Sequence, residues 1–202
     1  MSNYPEARAR GFTLVEAIVV VAITAMVGGA LLSAIRYFYV NNAYVFEATT
    51  AVDSARRGLS VMLHNVREAS YADDGNYPIG AAATSSITFY SDVDSDGGIE
   101  RVKIWKYSTT LYKVVTNAAG NPPSYAGQAS ATSTIATYLR NATSTPFFTY
   151  YNSSGVQLAT TSPDISQIVS VHAHIETDLN PNRAPQIFTL TGSATLRNLK
   201  DR

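Results

Sequence analysis

The chain has no cysteine, which excludes disulfides, thiolate metal sites and cysteine nucleophiles and leaves its redox compartment open. It also lacks an excess of charge. Lysine plus arginine and aspartate plus glutamate stand at 15 each in 202 residues, so no global field argues for nucleic acid or for an acidic partner. Proline is missing from residues 12 to 77, so nothing in that stretch forces a helix to break. There is no glycine-rich phosphate loop and no Ser/His/Asp arrangement, and the chain does not read as an enzyme. What is present points elsewhere. Tyrosine is abundant, at 13, and serine, threonine and asparagine crowd the second half, as suits exposed β-structure with wet loops. The length supports one medium domain, or a long element plus a smaller domain.

The first signal is ARGFTLVEAIVVVAITAMVGGALLSAI, residues 9 to 35. From Phe12 to Ile35 there are 24 residues with a single charge, enough to cross a bilayer as a helix at about 1.5 Å per residue. Arg8 and Arg10 precede the run, which keeps the N-terminus cytoplasmic by the positive-inside rule. Tyr37, Phe38 and Tyr39 follow as an interfacial anchor, and the rest of the chain is expected outside. A cleaved secretory signal is the competing reading, with Ala30, Ser33 and Ala34 as its small residues, but the run is long for one. The exception within the run is Glu16. An ionisable group in hydrocarbon is costly, so such residues are rare and usually partnered.

Arg10-Gly11-Phe12-Thr13-Leu14-Val15-Glu16 resembles the cleavage and methylation motif of bacterial type IV prepilins and type II secretion pseudopilins. The resemblance implies that a prepilin peptidase cuts after Gly11 and N-methylates Phe12. It implies that Glu16 pairs with the N-terminal amine of a neighbouring pilin or pseudopilin subunit, with an inner-membrane assembly platform as a further partner. Opposite charges in a low-dielectric setting attract and relieve each other's desolvation, so this pairing is physically reasonable. Alone, Glu16 would read as a carboxylate resting at headgroup depth. Retention of Glu16 argues against the K-type tip subunit, which usually lacks it. Many family members carry a proline near the position of Ser33, which this chain does not.

The helix is expected to continue past the bilayer. Val40, Tyr44, Ala48, Ala51, Val52, Ala55, Leu59, Met62, Leu63 and Val66 recur at helical spacing on one face of about 140°. Asp53, Arg56, Arg57, His64, Arg67 and Glu68 lie opposite. One helix from about Phe12 to about Tyr71 would run roughly 90 Å. Ala25, Gly29 and Ser33 repeat every four residues and, with Gly28, suit close approach of another helix. Gly28 and Gly29 each weaken the helix by about 1 kcal/mol relative to alanine.

After Asp73-Asp74-Gly75-Asn76-Tyr77-Pro78 the period changes to two. Strands are expected at 87–91, 99–107 and 111–116, a polar loop at 117–134, a brief helix or turn at 135–141, and a hairpin joining 147–151 to 156–158. The cleanest strands come last. Val169, Val171, Ala173 and Ile175 alternate with Ser170, His172, His174 and Glu176, and Phe188, Leu190, Ala194 and Leu196 alternate likewise. The expected fold is α+β: a long N-terminal helix packed on a C-terminal antiparallel β-domain, the pilin-like lollipop that the resemblance implies. The divisions are 1–11 as removed leader, 12–35 as transmembrane helix, 36–71 as its amphipathic continuation and 72–202 as extracytoplasmic β-domain. Ile87-Thr88-Phe89-Tyr90, the last two strands and Thr195-Leu196-Arg197-Asn198-Leu199 resemble the larger J-type and W-type minor subunits.

Other sites carry weaker signals. Asp92-Val93-Asp94-Ser95-Asp96-Gly97 spells the start of a calcium loop, with Asp92, Asp94 and Asp96 as oxygen ligands. Lys103 stands where such a loop needs a bidentate glutamate, and Glu100 substitutes only in a different geometry, so a solvated turn over Asp96-Gly97 is the preferred reading. His172, His174 and Glu176 share a strand face but lack further metal ligands. Asn141-Ala142-Thr143 and Asn152-Ser153-Ser154 spell glycan acceptors, which arise by chance in such chains. Arg101, Lys103, Lys106 and Lys113 on adjacent strands give only a weak argument for nucleic acid, since acidic neighbours accompany them. The expected function is that of a structural, minor filament subunit without a cofactor. The alternatives are a filament-displayed adhesin or DNA-uptake subunit, and an unprocessed membrane-anchored β-domain.

Overall fold

A computed structural model describes residues 11–180 and 187–197, and it is α+β. Among these residues helix α1 (Leu14–Arg67) precedes eight strands: β1 (Ile79–Ala82), β2 (Ser86–Ser91), β3 (Glu100–Tyr107), β4 (Thr110–Thr116), β5 (Ser130–Ala136), β6 (Phe148–Tyr151), β7 (Ser170–Thr177) and β8 (Phe188–Thr195). The basic leader residues Arg8 and Arg10, and Asn198-Leu199 at the end, lie outside the described residues. The chain forms two compact units that divide within α1, between Phe46 and Glu47.

In the first unit the helix is apolar all round and exposed, from Leu14 at 76 % to Met26 at 75 % and Leu32 at 70 %. It is long and apolar enough to cross a membrane. Its serine and threonine hydroxyls are tied internally. Thr24 Oγ1 donates to the Val20 carbonyl at 2.7 Å and Ser33 Oγ to the Gly29 carbonyl at 2.9 Å, so neither leaves a polar group orphaned in an apolar setting.

In the second unit the C-terminal stretch of α1 packs on antiparallel sheets. Five strands form a meander in the order β1-β2-β3-β4-β5, and three more the order β6-β7-β8. Ala55, Leu59, Met62 and Val66 of α1 share one core with Phe89, Val102, Ile104, Phe148, Tyr150, Val171 and Ile175. Close approach depends on missing side chains. A Cβ on Gly58 would lie 2.6 Å from Ala136 Cβ and 2.8 Å from the Ile135 carbonyl oxygen, so the helix touches backbone there. A Cβ on Gly192 would lie 2.6 Å from Leu63 Cδ1. The row Phe148–Ala173–Gly192 thus tapers in size across the small sheet, and α1 sits over its narrow end.

Several expectations change. The helix ends at Arg67 and not near Tyr71, because the Ser70 N–H is taken by the Tyr90 carbonyl of β2 at 2.9 Å. Ser54, Gly58 and Asn65 are buried on the helix face, while Val40 is 44 % exposed. Ser54 Oγ accepts from the Thr137 N–H at 2.9 Å, which explains a polar residue on that face. The expected loop at 117–134 gives way to strand β5 at Ser130, and where a helix or turn was expected at 135–141 β5 runs to Ala136 and irregular chain follows, with Tyr138 at a positive φ of 65°. There the Leu139 N–H donates to the Thr109 carbonyl and Leu139 bridges Thr177. β1 has no counterpart among the expected strands. The second arm of the 147–158 hairpin is reduced to a single bridge, Tyr151 to Gln157.

Tyr150 joins the two sheets. Its hydroxyl donates to the Ala83 carbonyl at 2.7 Å and accepts from the Ala83 N–H at 3.2 Å, at the turn between β1 and β2. Burial pushes its phenol well above the ordinary tyrosine value, with the Ala83 N–H pulling the other way. A folded value raised above the unfolded one leaves the contribution intact below about pH 10 and removes it as pH climbs further. Tyr150→Phe takes the donor from the Ala83 carbonyl, while the Ala83 N–H keeps its 2.9 Å bond to the Ser86 carbonyl, and it is expected to cost about 1–3 kcal/mol at neutral pH. The thermal midpoint at pH 7 and its decline above pH 10 check this; the variant's decline should be shallower.

Candidate functional site

The start of α1 is built by a reciprocal cap. Thr13 precedes the first helical residue, and the Glu16 N–H donates to its Oγ1 at 3.3 Å. Glu16 Oε2 in return accepts from the Thr13 N–H and the Thr13 hydroxyl, both at 2.9 Å. This is a capping box, the spacing S/T-x-x-E that satisfies donors left over at a helix start. The signal is present in the sequence as Thr13-Leu14-Val15-Glu16, a capping-box spacing masked by the apolar run that follows it. The carboxylate is therefore held at its own helix start. Just ahead, Phe12 is 83 % exposed and, among the described residues beyond its chain neighbours, no atom lies within 4 Å of where a Gly11 Cβ would stand. Within one chain, the positions of Gly28 and Gly29 are equally open. Ala25 and Ser33 are exposed on the same helix.

The acidic turn between β2 and β3 differs from its expected form. Oxygens of Asp92, Asp94 and Glu100 lie within 4.8 Å of one another; Asp96 is not in this group. Asp96 Oδ1 instead accepts from the Gly98 N–H at 2.8 Å. Asp92 caps the turn, accepting from the Ser95 N–H at 2.6 Å and the Gly97 N–H at 3.2 Å. Gly97 does carry the positive φ, at 92°, and Ser95 shares it at 63°. Glu100 is 2 % exposed, and its Oε2 accepts from the Val93 N–H at 2.9 Å. Burial raises its carboxyl above the ordinary glutamate value, with Asp94, Asp96 and Asp92 adding to the rise and the Val93 N–H opposing it. A raised carboxyl favours the fold below its ordinary value and costs stability once pH passes the raised one, so at neutral pH this group opposes folding. Beside the turn a polar cleft of about 460 Å³ is lined by Glu68, Ser70, Asp92, Ser95 and Arg197.

The remaining sequence candidates disperse. His174 Nε2 lies 3.2 Å from Glu176 Oε1, whereas His172 packs on the Tyr151 ring with centroids 4.3 Å apart. Asn141 is 7 % exposed, its Nδ2 donating to the His174 carbonyl and its Oδ1 accepting from the Glu176 N–H, so its amide is used as a structural clamp rather than presented to a glycan. Asn152 turns inward on its own loop, accepting from the Ser154 and Val156 N–H groups. Arg101 lies over the Tyr125 ring and Lys103 over that of Trp105, while Lys106 Nζ donates to the Asn141 carbonyl. The cations are thus spread over both faces of the large sheet, since Arg101 and Lys103 alternate with Val102 and Ile104 and Lys106 shares their parity.

Residues 7–32 match the family described as the prokaryotic N-terminal methylation motif. No curated protein matches the chain. The matched segment contains Gly11, Phe12, the Thr13–Glu16 cap and most of the apolar helix. This motif, at the head of a long helix whose later turns pack on antiparallel sheets, is the feature in which the chain resembles the type IV pilins and pseudopilins.

Proposed function

We propose that the chain is a prepilin that is cut after Gly11, N-methylated at Phe12 and built into a type IV pilus or a type II secretion-type pseudopilus as a minor structural subunit. The match to the methylation motif over residues 7–32 is the observation that carries this reading. Prepilin peptidase and other pilin subunits are the partners that the motif implies. Before assembly the exposed apolar helix sits in the cytoplasmic membrane, with the N-terminus inside and the β-domain outside. On assembly the helix exchanges lipid for neighbouring helices, and Ala25, Gly29 and Ser33 offer the small faces at which helices approach closely. Glu16 then offers its carboxylate to the methylated amine of a neighbour. The capping box supports this role, because a carboxylate already oriented at the helix start loses little further freedom on pairing.

The test is a mass-spectrometric map of the N-terminal peptide in native cells, comparing membranes with sheared surface material. A chain beginning at methylated Phe12 in sheared filaments is the expected result for a pilus, and a processed chain confined to membranes that for a short pseudopilus. An intact Met1, in a host that processes its other prepilins, overturns the proposal. Glu16→Ala is expected to be cleaved normally yet to fall at least about tenfold in filaments, the loss of one buried charge pair. Undiminished incorporation, read by immunoblot of sheared material, removes the register role.

A further inference from the structure

We propose that the outward face of the small sheet carries a binding cleft for a neutral saccharide, lined by His172 and His174 of β7. Val171, Ala173 and Ile175 of β7 are buried in the core, so His172 and His174 stand on the opposite face. Directly opposed residues of neighbouring strands share a face. Thr149 of β6, His172 and Ser193 of β8 therefore form one outward row, and His174 with Thr191 forms the next. A cleft of about 530 Å³ opens along these two rows, and Thr145 and Pro146, just ahead of β6, line it as well. Its volume lies within the range of about 300–1,000 Å³ that small-ligand clefts occupy.

Both imidazoles are held in place by groups that do not line the cleft. His174 Nε2 lies 3.2 Å from Glu176 Oε1, and the His172 ring rests on the Tyr151 ring with centroids 4.3 Å apart. Tyr151 is itself tied, its hydroxyl donating to Gln157 Oε1 at 3.4 Å. The backbone of β7 is fixed at the same place. Asn141 Nδ2 donates to the His174 carbonyl at 2.7 Å, and its Oδ1 accepts from the Glu176 N–H at 3.1 Å. The two rings thus keep their orientation without a ligand, and a ligand that bonds to them meets a site already ordered.

The lining selects the ligand. No aspartate, glutamate, lysine or arginine lines the cleft, so a strongly charged ligand finds no counter-charge there. Hydroxyls both donate and accept hydrogen bonds, and a neutral imidazole carries one donor and one acceptor. A carboxylate only accepts, so beside Glu176 the neutral His174 ring carries its proton on Nε2 and leaves Nδ1 to accept from a sugar hydroxyl. Pro146, Ala173 and the threonine methyls add apolar surface, which suits the C–H faces of a pyranose ring. A transition metal is the rival for paired histidines. Among the described residues, however, neither ring belongs to a group of three ligands within 4.8 Å of one another. The cleft belongs to the β-domain alone, and it stands whether or not the chain enters a filament.

The test presents maltotriose, chitotriose and galactobiose to the full chain in dodecylphosphocholine micelles, whose headgroup is not a sugar. Saturation-transfer NMR detects binding and calorimetry measures it. At least one of the three is expected to bind with a Kd between about 10⁻⁵ and 10⁻² M. His174→Ala and Thr191→Val should each weaken it about fivefold or more, the loss of one hydrogen bond. Thr132→Val, on β5 of the other sheet, should bind within about twofold of the unaltered chain. Thr191 is exposed and valine suits a strand, so Thr191→Val decides the matter even where His174→Ala disturbs the sheet. No binding by any of the three up to about 10⁻² M overturns the saccharide site, as does an affinity unchanged in Thr191→Val. Zinc that binds below about 10⁻⁵ M and is lost in His172→Ala overturns it in favour of a metal.

Discussion

A Gly11→Leu chain is expected to stay at full length in the membrane, with processed product reduced at least about tenfold and none in sheared material. Peptidases recognise a residue at the cut by the space it leaves, and an isobutyl group where a pocket expects hydrogen is a steric rejection. The structure makes the result interpretable. Among the described residues, its chain neighbours aside, no atom lies within 4 Å of a Gly11 Cβ, so the leucine meets nothing there. Gly11 also precedes α1 and makes no contribution to the core. Loss of cleavage then reports recognition at the junction rather than misfolding. Intact mass of the membrane-extracted chain distinguishes Met1 from Phe12 as the first residue. Normal cleavage of Gly11→Leu would remove the leader assignment and, with it, the functional reading built on residues 7–32.

Gly58→Val is expected to cost about 3 kcal/mol or more, the largest stability effect of any single substitution considered for the β-domain. Two effects oppose each other. A glycine inside a helix costs about 1 kcal/mol relative to alanine, so adding a side chain should help an isolated helix. Against this, the added Cβ would stand 2.6 Å from Ala136 Cβ and 2.8 Å from the Ile135 carbonyl oxygen. One of those contacts is backbone, which cannot swing aside as a side-chain tip can. Helix and strand must separate, and Ala55, Leu59 and Met62 lose contacts on either side. Overpacking wins by a clear margin. Thermal unfolding of the detergent-solubilised chain measures the difference, with Gly28→Ala as control because that site is open. A Gly58→Val midpoint within a degree of the unaltered chain would show that the close approach is relaxed in solution.

The helix, most strands and the methylation motif were legible in the sequence because each rests on local periodicity or a short motif. The apolar run, the absence of proline and the spacing of Ala51, Ala55, Leu59, Met62 and Val66 required no partner to be read. The alternation in β7 was equally plain, since Val171, Ala173 and Ile175 are buried and their neighbours are not. Less legible were elements whose identity comes from what they touch. Strand β5 is small and hydroxyl-rich, with no alternation to reveal it, and becomes a strand by pairing with β4 from Leu111 to Thr116. Ser54 and Gly58 stand outside the apolar set that the spacing picks out, yet both are buried on the helix face, Ser54 bonded to the Thr137 N–H and Gly58 against the backbone of Ile135.

The acidic turn divides the same way. Sequence placed Asp92, Asp94 and Asp96 together by spacing alone, yet spacing cannot say which carboxylates converge. Register decides that: Ser91 opposite Glu100 puts a buried carboxylate beside two of the three aspartates and turns Asp96 to the Gly98 N–H. By itself, then, the sequence determined what depends on neighbours along the chain, namely the membrane-length helix, its cap and its processing motif. The tertiary structure alone decided which residues meet across strands and between helix and sheet, because those contacts are set by packing distance and pairing register, and neither is written in any local run of residues.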